Sequence, residues 1–443
     1  MTKIKKIFIE TYGCQMNFSD SEIVASVMAG EGYESTPDIN EADLILVNTC
    51  SIRENAEQRV RRRLQNLRSL KRKRPGIRIG LLGCMAERLK EKLLEEEDTL
   101  DVIVGPDAYR DLPRLLKQAE TGQKAINTIL SSEETYEDII PVRYDSNGVS
   151  GYISIMRGCG NFCSYCVVPF VRGRERSRDV NSILKEATDM YEQGYREVTL
   201  LGQNVNSFRW NDEVSGTINF AELLEKVARI DSKLRVRFAT SHPKDLSDEL
   251  LHVIASYRNI CKSIHLPVQS GSTAILGKMN RGYSRETYMN RIEAIRRIIP
   301  GCAISTDIIT GFCDETEEDH LQTLSLMNWA EFDFAFMFKY SERPDTLAAD
   351  HYKDNVPEQI KERRLNEIIA LQHRLSEKSN KKDINSVFEV LIEGYSKRSK
   401  EHFAGRNTGN KMVIFPMTNN KPGEYIHVKI CSSTSATLIG EAF

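Results

Sequence analysis

Cys159, Cys163 and Cys166 form a Cys-x3-Cys-x2-Cys run, set in Arg157-Gly158-Cys159-Gly160-Asn161-Phe162-Cys163-Ser164-Tyr165-Cys166. Few features restrict a fold as tightly, because thiolates that share one inorganic group must be brought together by the chain around them. An iron–sulfur cube is normally held by four thiolates. A run of three leaves one iron without a protein ligand and open to an exogenous one. A zinc knuckle lacking its fourth ligand, or three cysteines with no common ligand, are the competing readings. Zinc motifs usually pair one Cys-x2-Cys with a second pair, which weighs against the first of these.

At 443 residues the chain is too long for one ordinary core, and two or three domains are expected. A hydrophobic content of 40% with 28% charged residues reads as soluble and globular. No apolar run reaches the length of a membrane span. The start, Met1 to Glu10, has no signal-peptide core and runs straight into a strand, so a cytoplasmic location is expected. Ten cysteines in a reducing compartment then argue for metal binding over disulfides. The net charge of −2 conceals local bias: ten Lys/Arg lie between Ser51 and Arg74, against Glu54 and Glu57, while Glu91–Asp101 and Glu133–Asp138 are acidic. A near-zero total argues against indiscriminate coating of nucleic acid but allows one basic footprint.

Three parts follow along the chain, giving an α/β protein with a small β-barrel at its end. Residues 1–120 alternate strand and helix: Ile7–Thr11, Ser19–Ala29, Leu44–Val47, Glu54–Leu70, Ile77–Leu82, Glu87–Glu97 and a short strand at Asp101–Val104. Such alternation predicts a parallel sheet. Residues 121–148 read as a linker. Residues 149–382 repeat strand then helix six times, which predicts an open, partial (β/α)6 barrel. Its strands are Tyr152–Met156, Glu197–Leu201, Val236–Ala239, Ser263–Pro267, Ala303–Ile309 and Phe334–Phe338. The aromatic alternation Phe332 to Phe338 is expected in the core. Residues 383–443 are β-rich and suggest a small barrel, either a nucleic-acid binder or a structural cap. No 20–50-residue period repeats.

In the first part the cysteines recur at matching places. Tyr12-Gly13-Cys14, Asn48-Thr49-Cys50 and Leu82-Gly83-Cys84 each follow a strand and precede a helix. All strand carboxyl ends of a parallel sheet lie on one edge, where such folds bind ligands. The three cysteines are thus expected to converge as a second three-thiolate site, with helix N-termini favouring the thiolates. Buried strands that simply end in apolar cysteine are the plainer alternative.

The Cys159–Cys166 run resembles the signature of the radical-SAM superfamily, down to aromatic Tyr165 before the last cysteine. The whole chain resembles the radical-SAM methylthiotransferases, which join an N-terminal three-cysteine domain, a radical-SAM partial barrel and a C-terminal TRAM barrel. Gly13-Cys14-Gln15-Met16-Asn17, Asn48-Thr49-Cys50-Ser51-Ile52-Arg53-Glu54, Val167 to Glu175 and His265 to Ser272 are similar to the bacterial branch acting on isopentenyl-adenosine in tRNA. Cys313-Asp314 departs from the Pro-Gly common in relatives, in a loop with little bearing on the site. The resemblance implies two [4Fe-4S] clusters, one on Cys14, Cys50 and Cys84 and one on Cys159, Cys163 and Cys166, with S-adenosylmethionine on the latter. It implies methylthiolation of carbon-2 of isopentenyl-adenosine in the tRNA anticodon stem-loop, by a monomer served by an electron donor and a sulfur donor. Other methylthiolated substrates, or a non-catalytic Fe–S RNA-binding protein, are the alternatives. Relatives place Gln203 and Asn204 at the S-adenosylmethionine amino group, and Tyr165 joins this set.

Gln269 and Asp307 point to the same barrel mouth, and a carboxylate inside a buried-type strand is costly unless it has a partner. His242 in Ser241-His242-Pro243 reads as structural. Arg172, Arg174, Arg176 and Arg178 alternate, so all four share one face if that segment is extended. They are candidates for phosphate or carboxylate contacts, or for salt bridges. Arg61-Arg62-Arg63 with Lys71 to Arg74 is the clearest phosphate footprint.

Overall fold

A computed structural model describes residues 4–50, 54–144, 146–212 and 216–443. Met1 to Lys3 and the Ser51-Ile52-Arg53 stretch of the second cysteine motif lie outside the described residues. The chain divides into two compact units: Met1–Asp145 with Ser154–Gly160 and Cys166–Ser182, and Ser146–Ile153 with Asn161–Tyr165 and Ile183–Phe443.

The first unit is built on strands β1 (Lys5–Tyr12), β2 (Tyr33–Ser35), β3 (Leu44–Thr49), β4 (Arg78–Gly83), β5 (Val102–Val104) and β6 (Ala125–Asn127). Helices α1 (Gln15–Ala29), α2 (Glu54–Lys73), α3 (Cys84–Glu96) and α4 (Leu112–Glu120) connect or follow them. All pairings are parallel, in the order β2-β1-β3-β4-β5-β6. β3 is buried at every position. Its residues alternate between two apolar layers, which is why it reads as a continuous apolar run. Leu44 and Leu46 pack with Ile23, Val24, Leu112 and Leu115. Ile45 and Val47 pack with Val60, Leu64, Leu67 and Leu93 on the opposite face. The strand order reverses at β1, so β1 and β3 flank a switch point, the place where open parallel sheets open a crevice for ligands. Sequence periodicity misses the three-residue edge strand β2 and places the start of α1 four residues late. Ala125–Asn127, inside the stretch read as a linker, is the sixth strand, and Tyr136 beyond it is buried with its hydroxyl donating to Pro106 O at 2.9 Å.

The second unit carries two three-stranded sheets. One holds β7 (Ser150–Ser154), β8 (Glu197–Leu201) and β9 (Arg235–Ala239); the other holds β10 (Ser263–His265), β11 (Ala303–Thr310) and β12 (Phe334–Lys339). Ser241 N donates to His265 O at 3.3 Å and Cys261 N to Val236 O at 2.9 Å, which continues the wall from β9 to β10. Helices returning from these strands start on side-chain caps: Asn219, Ser247, Ser284 and Thr316 each accept a backbone N–H of the first turn. The fold class read from sequence, a partial barrel of strand–helix units, is the observed one.

The aromatic strand corrects one expectation. Phe334 and Phe336 are 49% and 47% exposed, whereas Phe332 and Ala335 are buried. They share a sheet face with Ser305 and Asp307, their register partners on β11. Alternation shows that one face differs from the other, not which face is covered.

Five strands close the C-terminal barrel: β13 (Val387–Ser396), β14 (Ser399–Arg406), β15 (Met412–Pro416), β16 (Tyr425–Ser433) and β17 (Leu438–Ala442), in the order β13-β14-β15-β17-β16. Val390, Ile392, Phe403, Phe415, Val428 and Leu438 fill it. β14 escapes sequence reading because its first half, Ser399 to His402, is polar. The barrel docks on the amino-terminal ends of the partial-barrel strands. Arg235 and Arg237 both donate to Glu197 at 2.6 Å, and they reach on to Arg406 O at 2.7 Å and Asn407 O at 2.9 Å. The Tyr425 hydroxyl lies 3.1 Å from Arg196 O and 3.0 Å from Lys233 O. Among the described residues, no helix is long and apolar enough to cross a membrane.

Candidate functional site

The three strand-end cysteines of the first unit come together at the switch-point edge. Cys14 N-caps α1, Cys50 follows β3 and Cys84 opens α3. Close approach is bought with glycine. An added Cβ on Gly13 (φ +140°) would lie 2.7 Å from Cys50 Cβ, and one on Gly83 (φ +88°) 2.4 Å from Asn48 Oδ1. Two fully buried asparagines lock the loops. Asn17 Nδ2 donates to Asn48 Oδ1 at 3.2 Å, and Asn48 Nδ2 returns to Asn17 O at 2.8 Å. A hydrogen bond from Cys50 pulls the Cys14 thiol down to about 6, and the charge of Arg172 adds to it. Burial pushes the Cys84 thiol up against the pull of the same arginine.

Arg172 is the hinge of this site. Its Nε donates to Cys84 Sγ at 3.2 Å and its Nη2 to Asp20 Oδ2 at 2.6 Å. Arg157 takes the other oxygen of Asp20 at 2.9 Å and lies 3.5 Å from Asp107, which Arg176 grips at 2.9 and 3.0 Å. Burial alone would raise the Asp20 pKa; two guanidiniums overcome it and hold the carboxyl below its usual range. Arg178 bonds Ser182 and Ser154 O, and of the four alternating arginines only Arg174 is exposed. The segment is not uniformly extended, since Val168–Arg172 is a helix. Three of the four therefore serve the fold of this unit and present no charge to a phosphate. Asp20 and Asp107 carry no local sequence signal; Asn17 and Asn48 sit inside the cysteine motifs.

Among the described residues no group of three or more His, Cys, Asp or Glu side chains is spaced to hold a metal ion. The fit to a larger thiolate-bound group rests on donor chemistry: three soft sulfurs, and a buried Arg172 Nη1 left without a hydrogen-bond partner beside them.

The second cysteine run is shared out. Cys159 and Cys166 belong to the first unit, where Cys159 N donates to Gly173 O at 3.2 Å and Val168 N to Cys166 Sγ at 3.4 Å. Cys163 and Tyr165 belong to the second unit. There Arg281 Nη1 donates to Cys163 Sγ at 3.1 Å and to Tyr165 Oη at 3.4 Å.

At the carboxyl ends of the second unit's strands, buried polar atoms stand without partners: Gln203 Oε1, Asn204 Oδ1 and Asn206 Nδ2 after β8, Ser241 Oγ and His242 Nε2 after β9, and Gln269 Oε1 after β10. Buried polar groups are nearly always satisfied, so a cluster of six at one mouth fits a polar ligand. Gln269 also holds φ at +75°, a left-handed conformation uncommon outside glycine. Burial first, then the charge of Arg281, pushes His242 down to about 2, so it stays neutral; its Nδ1 accepts Lys244 N at 3.3 Å, which leaves Nε2 to offer an N–H donor. Sequence reading set His242 aside as a lone histidine; the unpartnered atoms around it are the signal that was out of reach. Asp307 has a partner: His265 Nε2 lies 3.4 Å from Oδ1, and His265 Nδ1 is 3.0 Å from Ser305 Oγ.

Residues 6–105 match the uncharacterized protein family UPF0004, residues 153–327 the radical SAM superfamily and residues 381–443 the TRAM domain. Proteins named tRNA-2-methylthio-N(6)-dimethylallyladenosine synthase are similar over the full length. The one from Amoebophilus asiaticus is 56% identical, covering 99% of this chain and 93% of its own; the one from Parabacteroides distasonis is 58% identical, covering 99% and 95%. The chain belongs to this synthase family. Its fold matches the radical S-adenosylmethionine methyltransferase TsrM from Kitasatospora setae, solved with cobalamin and a [4Fe-4S] cluster bound. The TM-score is 0.59 at 14% identity, over 78% of this chain and 74% of that one. As a member of the synthase family the chain is a radical-SAM transferase.

On the basic helix α2, Arg61 pairs with Glu96 at 3.0 Å, Arg63 with Glu10 at 2.7 Å and Lys71 with Asp101 at 2.8 Å. Arg62, Arg72 and Lys73 face solvent. The footprint expected at Arg61 to Arg63 thus reduces to cations that the fold leaves outward.

Proposed function

We propose that the chain adds a methylthio group to carbon-2 of isopentenyl-adenosine next to the tRNA anticodon. Cys159, Cys163 and Cys166 would hold one [4Fe-4S] cluster and Cys14, Cys50 and Cys84 a second. When bound, the two clusters supply a one-electron reductant for S-adenosylmethionine and a store of sulfur. The observation that carries the reading is the gathering of three strand-end thiols at one sheet edge, with buried Arg172 donating to Cys84, in a chain that also has the radical-SAM cysteine run. Asn17 and Asn48 fix the thiol-bearing loops. Gln203, Asn204, Asn206, Ser241, His242 and Gln269 offer donors and acceptors for the polar groups of S-adenosylmethionine, while Asp307 and His265 orient each other on the inner wall. Residues 1–120, together with the sixth strand Ala125–Asn127, serve the auxiliary cluster, 149–382 hold the radical chemistry and 383–443 contact RNA. The protein works as a cytoplasmic monomer with an external electron donor and sulfur donor.

The test is anaerobic reconstitution with nucleoside analysis of tRNA from a deletion strain. About eight irons per chain are expected, with the methylthio nucleoside missing from the strain and restored by the gene. A strain that keeps this nucleoside but lacks a methylthiolated threonylcarbamoyl-adenosine would assign the chain another substrate. Unchanged tRNA and no S-adenosylmethionine cleavage would leave only an Fe–S RNA-binding protein.

A further inference from the structure

Arg281 is 5% exposed and carries a permanent charge. Among the described residues no carboxylate pairs with it. Neutral groups hold it instead: Nε donates to Tyr283 Oη at 3.0 Å, Nη2 to Pro267 O at 2.9 Å, and the guanidinium lies 5.4 Å from the Tyr283 ring centroid. Tyr283 Oη in turn donates to Val268 O at 2.9 Å. The remaining nitrogen, Nη1, faces Cys163 Sγ at 3.1 Å.

The same turn grips the cysteine loop without help from this side chain. Asn280 Nδ2 donates to Phe162 O at 2.9 Å, Ser164 N to Met279 O at 3.0 Å and Ser164 Oγ to Lys278 O at 2.8 Å. Asn280 and Gly282 take φ of +54° and +71°, the left-handed turns that aim Arg281 back at the loop. The loop is thus positioned three times over by neutral bonds, and the guanidinium adds little that the fold needs. What it adds is charge beside the Cys163 sulfur.

We infer that Arg281 sets the reduction potential of the radical cluster, as a positioning residue acting through Cys163. The inference rests on the reading that Cys163 is a cluster ligand. Hydrogen bonds to ligand sulfur and local charge are main determinants of cluster potential. A buried, uncompensated guanidinium stabilises the more negative, reduced state, so it makes the cluster easier to reduce by a weak physiological donor.

The experiment is an EPR-monitored redox titration of the reconstituted full-length protein, following the signal whose g-values shift on adding S-adenosylmethionine. Arg281→Gln keeps an N–H donor and loses the charge; Arg281→Lys keeps the charge. At a fixed ambient potential near the wild-type midpoint, Arg281→Gln should show about a fivefold smaller reduced fraction, and Arg281→Lys should stay within about twofold of wild type. Iron content and circular dichroism should match wild type in both. An unmoved midpoint in Arg281→Gln with full iron overturns the inference and leaves the cluster assignment standing. Loss of iron in Arg281→Lys as well as Arg281→Gln overturns it in favour of a purely structural arginine. Absence of any signal that responds to S-adenosylmethionine, or its survival in Cys163→Ala, overturns the cluster assignment and the inference together.

Discussion

Both thiol sites are faced by a buried arginine, but the two arginines are embedded in opposite ways. Arg172, beside Cys84, shares Asp20 with Arg157, and Asp107 ties Arg157 to Arg176. Three guanidiniums and two carboxylates form one lattice in the first unit. Arg281, beside Cys163, is held by a phenol and a backbone carbonyl, with no carboxylate partner among the described residues. The contrast separates two uses of the same side chain. A lattice makes charge part of the fold, so that removing one member strands the others in a low-dielectric interior. A guanidinium held by neutral groups alone leaves its charge available to whatever its neighbour sulfur binds.

Cysteine substitutions are the largest way to break this comparison. Replacing Cys14, Cys50 and Cys84 together, or Cys159, Cys163 and Cys166 together, should each remove about four of eight irons. Cys163→Ala should abolish 5'-deoxyadenosine formation, whereas Cys50→Ala should still cleave S-adenosylmethionine under reduction yet give no methylthio product. Nucleoside and deoxyadenosine chromatography checks both. Loss of cleavage as the main defect of Cys50→Ala would erase the division of labour between the sites.

Next in size is Asp20→Asn. It removes one carboxylate from a lattice of three arginines and should cost about 3–5 kcal/mol in denaturant unfolding of the apo-protein. Tyr283→Phe removes a neutral acceptor from Arg281 and the hydroxyl's own bond to Val268 O, and should cost about 0.5–1.5 kcal/mol for each. Equal costs would mean that the two arginines are embedded alike.

A smaller, pH-dependent effect belongs to Glu87, one helical turn beyond Cys84. It is fully buried, its oxygens lack hydrogen-bond partners, and Lys90 Nζ lies 3.7 Å away. Burial raises its pKa from 4.5 to about 7. The folded chain therefore keeps the proton more tightly than the unfolded one. Its stability contribution is full below about 4.5 and is lost as pH rises through about 7. Glu87→Gln cannot ionise, so its stability relative to wild type should grow by roughly 1–3 kcal/mol between pH 5 and pH 8. A flat difference across that range would show that Glu87 is solvated or paired.

The smallest expected effect on the fold concerns the cations left outside. Replacing Arg62, Arg72 and Lys73 with Ala should flatten the salt dependence of tRNA binding while changing stability by no more than about 0.5 kcal/mol. Binding titrations at several salt concentrations decide it. An unchanged slope moves the phosphate contacts elsewhere, first of all to the C-terminal barrel.

These charges also mark where sequence reading stops. The strand-end cysteines are legible because topology fixes where parallel strands end, and a glycine before Cys14 and Cys84 marks the tight turn. The partial barrel is legible from buried strands alternating with capped helices. The fate of the arginines is not. Arg172 meets Asp20 across 152 positions and Arg176 meets Asp107 across 69, separations over which no pattern records a pairing. Phe334 and Phe336 fail for a related reason: period-two alternation is the same for a covered and an uncovered wall.

The docking of the C-terminal barrel carries a consequence of scale. Glu197, Arg235 and Tyr425 fasten it to the amino-terminal ends of the strands, while Gln203, His242 and Gln269 lie at the carboxyl ends. Ala303–Thr310 runs eight residues between those ends, which at about 3.3 Å per residue is roughly 26 Å. The second unit is therefore a ruler. Under the function proposed above, a free nucleoside would reach one end only, whereas an RNA stem several base pairs long would span both, so a fixed length of protein would distinguish a mononucleoside from an intact anticodon arm.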